Sequence, residues 1–384
     1  MLDFKKFYKP IEHMNLALFD ELERYNGVHN GHLFISSNEE SILNSYHKIK
    51  QLLTDQSLES VNVVAHCGDQ AIASQNLSEK LNEIKKDLAL HKKFKFVLIA
   101  AAPYHWKIDF SDFNNFLYIY YPEYQGIYWP IYKDQIPLTG RPIKKHFLSL
   151  NKRADLYRQL LYYTFYQNNW IDKSYFSYLG EDYLKGNLYS IEKFEQIHNN
   201  IDKFFPGFKR PPNRFITLDD DKNLEKYKTF SQSEFDPTWN IDEYLYKDSF
   251  CSVVIETAPT HEIVNLSEKT FRSIVYGHPV VLFAAPGSYA FLRDLGIDFG
   301  IYDIAAVNWD SGVDNKERFL NFIEFLKKIA VLSHNNLELV SRLVDNKTDH
   351  LRDQYRYVYK RMLSAQPVIA QSIKDFLLSV PFKF

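Results

Sequence analysis

The chain has 384 residues, 45% of them hydrophobic, and its 46 Lys and Arg against 48 Asp and Glu leave a formal net charge of −2. That length suits two domains with a core each, and the balanced charge argues against general electrostatic capture of nucleic acid, although a local patch would not show in the count. The two cysteines, Cys67 and Cys251, each lie beside an apolar run, so they read as small core residues rather than a disulfide framework or a metal knuckle, and a reducing, cytoplasmic setting is expected.

In chain order, the first ten residues lack an apolar signal core, and no run reaches the ~18–20 apolar residues needed to span a bilayer. Short, β-branched apolar runs at 32–37, 60–68 and 94–103 fit strands, and 39–53 and 77–88 between them have helical period. Such alternation implies an α/β fold with a parallel sheet and crossover helices. Residues 116–122 offer a further strand and 128–132 a loop. A strand over 146–150 leads into a helix starting near Arg153. Residues 181–249 are polar and broken at Pro206-Gly207 and Pro211-Pro212, which predicts an excursion between strands.

The most informative stretch follows. Residues 250–257 read as a buried strand ending in polar Glu256 and Thr257, and 258–266 as a loop. Ser267 suits an N-cap. It opens a helix with Glu268 and Lys269 in its first turn and Phe271, Ile274 and Val275 on one face, which stops at Gly277-His278-Pro279. The continuously apolar 280–285 predicts a parallel strand covered on both sides. Pro286-Gly287-Ser288 then leaves its carboxyl end, where open α/β sheets bind ligands. The patterns at 316–345 and 347–378 predict terminal helices.

The order of strand, polar loop, hydroxyl-Glu-Lys helix start, proline, strand and Pro-Gly-Ser resembles the nucleotide-sugar-binding half of GT-B glycosyltransferases, in particular the fucosyltransferase and exostosin-like groups. Ser267 stands where those groups have Thr and keeps the hydroxyl. The likeness covers about residues 250–330, with 292–299 and Asp314 to Arg318 similar to the downstream pattern. Asn151-Lys152-Arg153, after the strand at 146–150, is similar to an Asn-x-Arg element, and the helix after it carries an Arg-x-x-Leu. The resemblance implies two Rossmann-like domains facing across a cleft. Residues 1–144 would form the acceptor side and 145–360 the nucleotide-sugar side, with 361–384 a terminal helix crossing back to the first domain. It also implies that Glu268 accepts hydrogen bonds from the donor ribose and that Lys269 neutralises the diphosphate, with Asn151, Arg153, Glu256, Ser267 and Arg272 around them. Arg272 is equally able to face solvent, and charge in a first turn is also what a plain solvated helix start carries.

Sugar transfer needs neutralisation of the leaving diphosphate, a base for the acceptor hydroxyl and a cleft poor in water. The base candidates stand at the ends of amino-terminal strands: Asp69 and His66, which flank Gly68, and His105. The donor is a nucleotide sugar acting as substrate, and neither a cofactor nor a metal is expected. The acid triplet Asp219 to Asp221 lies in polar surroundings and reads as a solvated turn. The acceptor expected is a glycan hydroxyl. A hydroxylated base in DNA and a non-catalytic nucleotide-sugar or glycan-binding module are the alternatives.

Overall fold

The computed structural model describes residues 32–36, 61–67, 86, 94–100, 116–120, 143–151, 155–178, 191–213, 216, 243–257, 259–260, 264, 266–297, 314–335, 350–358 and eight positions between 360 and 376. Strands β1 (His32–Ser36), β2 (Val61–Cys67), β3 (Phe94–Ala100) and β4 (Phe116–Tyr120) form one sheet in that order, each pair parallel. All four fall on runs expected to be strands. Phe96 of β3 stands opposite Phe116 of β4, and their rings stack at 5.2 Å. Parallel neighbours need a crossover between them. The helices expected at 39–53 and 77–88 lie outside the described residues except for Lys86, which is helical.

A second sheet contains β5 (Lys145–Asn151), β6 (Tyr175–Tyr178), β7 (Ser249–Ile255) and β8 (Val280–Phe283), all pairs parallel, in the order β6-β5-β7-β8. Helices among the described residues include α1 (Leu156–Gln167), α2 (Ile191–Phe204), α3 (Glu243–Asp248), α4 (Glu268–Val275), α5 (Ser288–Asp294) and α6 (Asn315–Asn335). After β5 the chain moves outward to β6 and then returns past β5 to lay down β7 and β8. The strand order therefore reverses between β5 and β7, which makes a topological switch point there.

Burial follows from the alternation of side chains along a strand. Phe147, Val253, Ile255, Val281 and Phe283 share one face and merge with Leu160, Leu161 and Phe165 of α1 and Phe319, Phe322 and Leu326 of α6 in a single core. Phe283 is the aromatic hub, with ring centroids 5.0 Å from Tyr157, 5.1 Å from Phe319 and 5.4 Å from Phe322. The other face carries Ser252 and Glu256, both bonded to α4. Every residue of β7 and β8 is buried, as two-sided cover requires. The protein is thus α/β with parallel sheets in a Rossmann-like arrangement.

The helix after β5 begins at Leu156, later than the sequence implies. Asp155 is its N-cap and accepts the Arg158 N–H at 2.9 Å, so the carboxylate, which can satisfy a first-turn donor, sets the boundary. Among the described residues, the excursion expected over 181–249 includes the helices α2 and α3. α4 starts at the Ser267 cap and ends in a Schellman motif: Gly277 at φ 68° lets the His278 N–H reach Ser273 O and the Gly277 N–H reach Ile274 O, each at 2.8 Å.

Residues 350–358 are helical, with Leu351, Tyr355 and Val358 buried at helical spacing and Tyr355 6.1 Å from the Phe271 ring of α4. Further on, Lys95 of β3 donates through Nζ to Phe376 O at 2.7 Å and lies over the Phe376 ring at 5.6 Å. Among the described residues, no helix is long and apolar enough to cross a membrane.

Candidate functional site at the β5–β7 switch point

The carboxyl ends of β5 and β7 lie side by side, and the helices that leave and return there bring the site residues together. Asn151 closes β5. Its Nδ2 donates to Ser149 Oγ at 3.0 Å and Ser177 O at 3.3 Å, so the amide donors named from sequence as ligand contacts are used to hold β5 against β6. Glu256 follows β7 and is 1% exposed. Its Oε1 accepts the Ser267 N–H at 2.9 Å and the Thr270 hydroxyl at 2.5 Å, while Oε2 has no hydrogen-bond partner among the described residues.

In a capping box the side chain at the third helical position reaches back to the N-cap N–H. Here that position is Thr270, whose hydroxyl is too short for the task and instead donates to Glu256. A carboxylate from the preceding strand thereby completes the box and fixes the start of α4 to the end of β7. It also sets negative charge beside the positive end of the helix dipole. Ser267 Oγ completes the cap by accepting from Lys269 N and lies 3.4 Å from Lys269 Nζ, which draws the half-buried lysine back over the helix start.

On the other side of the switch point stands Arg158, 2% exposed. Its Nε and Nη2 donate to Ile255 O at 3.3 and 3.1 Å, and Nη1 pairs with Asp155 Oδ2 at 3.2 Å. The guanidinium therefore ties the last carbonyl of β7 to the cap of α1. Burial pushes the Asp155 carboxyl above its ordinary value, and the Arg158 charge opposes that shift. Beyond the next strand, Arg318 makes an equivalent tie. Nη2 donates to Ala284 O at 2.6 Å, Nη1 donates to Pro259 O at 3.2 Å, and the group lies 5.3 Å from the Phe283 ring. Both arginines shape this edge by binding main-chain carbonyls.

A polar chain underlies α4. Ser249 O can only accept, so His278 Nε2 carries the proton that it donates there at 3.0 Å, and Nδ1 accepts from Ser252 Oγ at 2.8 Å. Ser273 Oγ reaches Ser252 Oγ at 3.0 Å. The turn after α4 is thus docked against the base of β7.

Glu256, Ser267 and Lys269 meet at the start of α4, Asn151 is bonded within the sheet to Ser149 and Ser177, and Asp155 and Arg158 stand at the start of α1. Arg272 does not face solvent. It is 2% exposed and lines a cleft with Lys269, because it sits one helical turn further along the same side of α4. Glu268 is the first residue of α4, and its side chain lies outside the described residues, as do Arg153, Asp69, His105 and the triplet 219–221. His66 is the penultimate residue of β2, opposite Ile99, at the strand end where the sequence puts it; its side chain is not described. Among the described residues no group of three or more His, Cys, Asp or Glu is placed to hold a metal. Arg158 carries the sequence signal of a lone cation inside an apolar helix, LYRQLLYY. No family model, curated protein or solved structure matches this chain.

Proposed function

We propose that the protein transfers a sugar from a nucleotide-sugar donor to an acceptor hydroxyl of a glycan, as a GT-B-type glycosyltransferase with two Rossmann-like domains facing across a cleft. The observation that carries this reading is where α4 begins. The helix whose first turn holds Glu268 and Lys269 starts beside the β5–β7 switch point, where parallel sheets of this kind take their ligands. The positive end of its dipole and the lysine suit an anion.

In the reaction the acceptor oxygen forms a bond to the anomeric carbon as that carbon's bond to the diphosphate oxygen breaks. The electron pair leaves with the diphosphate, and the acceptor proton passes to a base, a role for which Asp69, His66 and His105 are the candidates. Lys269 and the helix start stabilise charge as it develops on the leaving group. Glu268 accepts from the ribose hydroxyls, and Arg153 joins the phosphate contacts.

Calorimetric titration with nucleoside diphosphates tests the reading. Lys269→Ala is expected to weaken binding by about 1.5–3 kcal/mol, the magnitude of a charge-assisted contact. Equal affinity in a folded Lys269→Ala protein overturns the assignment. Turnover of nucleotide sugars in the same samples separates an enzyme from a binding module that keeps the site.

A further inference from the structure

The described positions of the carboxyl-terminal segment, 350–358, 360, 361, 364, 368, 371, 372, 375 and 376, are all helical. Bonds of helical spacing run along it: Ser372 Oγ donates to Val368 O at 2.8 Å, and Gln371 Nε2 donates to Asp375 Oδ1 at 2.7 Å. At a rise of about 1.5 Å per residue, a helical path from Tyr355 to Phe376 covers about 30 Å. The described positions from 360 to 375 are exposed. Among the described residues, the segment is therefore held at its two ends.

The two holds differ in kind and in place. At the first, Leu351, Tyr355 and Val358 are buried at helical spacing, with the Tyr355 ring 6.1 Å from that of Phe271. Phe271 belongs to α4, two residues beyond Lys269. With eight residues α4 has only about two turns, so a displacement at Phe271 is carried to Lys269 and to the Ser267 cap. At the second hold, Lys95 of β3 is 7% exposed, and its ammonium donates to Phe376 O at 2.7 Å and lies 5.6 Å from the centroid of the Phe376 ring. A buried ammonium gives up an acceptor only at a high cost, which makes this end hard to release. β3 is paired on both sides, with β2 and β4, so it passes the load to the rest of the first sheet.

We propose that the carboxyl-terminal segment is a tie that couples α4 to the first sheet, with its apolar end on Phe271 and its polar end on Lys95. A shift of the first sheet then moves α4 and the lysine at its start, and a ligand that draws on Lys269 is felt at β3. The coupling runs equally in both directions, as linkage requires. It stands on the contacts at the two ends and is independent of the reaction proposed above.

Hydrogen exchange of the intact chain tests the tie by cutting one end and reading the other. Lys95→Met keeps an apolar stem and removes the ammonium. The amides of 271–278, in α4 and its turn, are expected to exchange at least about 3-fold faster, while those of 160–165 in α1, on the opposite face of the second sheet, keep their wild-type rates. In the converse variant, Tyr355→Leu, the amides of 96–100 in β3 are expected to exchange at least about 3-fold faster, again with 160–165 unchanged. Where Lys95→Met does not fold, Phe376→Ala, which removes only a half-buried ring, takes its place with the same expected direction. Wild-type rates at the far end in either variant overturn the tie. Equal acceleration of 160–165 also overturns it, because the substitution then loosens the whole protein rather than a linked pair of elements.

Discussion

Replacing Glu256 with alanine leaves two donors that now share one oxygen, the Ser267 N–H and the Thr270 hydroxyl, without that acceptor. Thr270 is fully buried, so water cannot easily substitute. Each stranded donor costs about 1–3 kcal/mol, or about 2–6 kcal/mol for the pair. Removing a buried carboxylate also returns some of its desolvation cost, which makes the single-variant value a poor measure of the clamp. A double-mutant cycle with Thr270→Val removes that ambiguity, because the desolvation contribution cancels. In wild type, Thr270→Val takes one donor from the carboxylate and destabilises. In the Glu256→Ala background it removes a stranded donor and is expected to be neutral or stabilising. The coupling expected is about 1–3 kcal/mol. Urea midpoints of the four proteins give the energies, provided the slopes agree, and hydrogen exchange at the amides of 269–271 should report loosening of the first turn. Additivity within about 0.5 kcal/mol refutes the claim that Glu256 completes the cap.

Arg158→Met keeps much of the volume but loses the bonds to Ile255 O and the partner of Asp155, and is expected to destabilise by about 2–4 kcal/mol in urea. Arg158→Lys should restore only a fraction of this, and full restoration means the forked geometry is irrelevant. The raised Asp155 pKa gives a pH signature with a definite sign. Between the higher folded value and the ordinary value of 3.8, the native state binds more protons than the unfolded chain, so stability from this group rises as pH falls through that window. Wild type should therefore gain on Asp155→Asn, which still caps the helix, as pH drops toward 3.8, and then level off. A difference that moves the other way shows that the pairing with Arg158 outweighs burial.

What could be read directly from the sequence was local in origin. β7 and β8 are unbroken apolar runs, and α4 has a cap, an amphipathic face and a glycine stop within eleven residues, so periodicity and residue type suffice for them. β6 leaves no signal in the sequence because four residues, YFSY, are too few for a period to register. α2 was hidden by its charges and asparagines, although Phe194, Ile197 and Ile201 fall on one side. At the site, Glu256 and Ser267 were recognisable as polar residues bounding apolar segments. Their bond was not, since it joins a strand end to a helix start across a loop. The partners of His278 stand 26 and 29 residues away, and nothing in a Gly-His-Pro turn announces them. The reversal of strand order that places α4 beside β5 is likewise a property of the assembled sheet.

The bond from Lys95 to Phe376 joins groups 281 residues apart. Ribosomes add about 5–20 residues per second, so the ammonium of β3 is made about 15–55 s before its carbonyl acceptor. Burial already lowers the pKa of Lys95, so a first sheet that closed early would carry a cation poorly matched to its surroundings. A nascent chain consequently gains from leaving this corner of the sheet open until residue 376 has emerged, so that this closing segment acts after the sheet it seals.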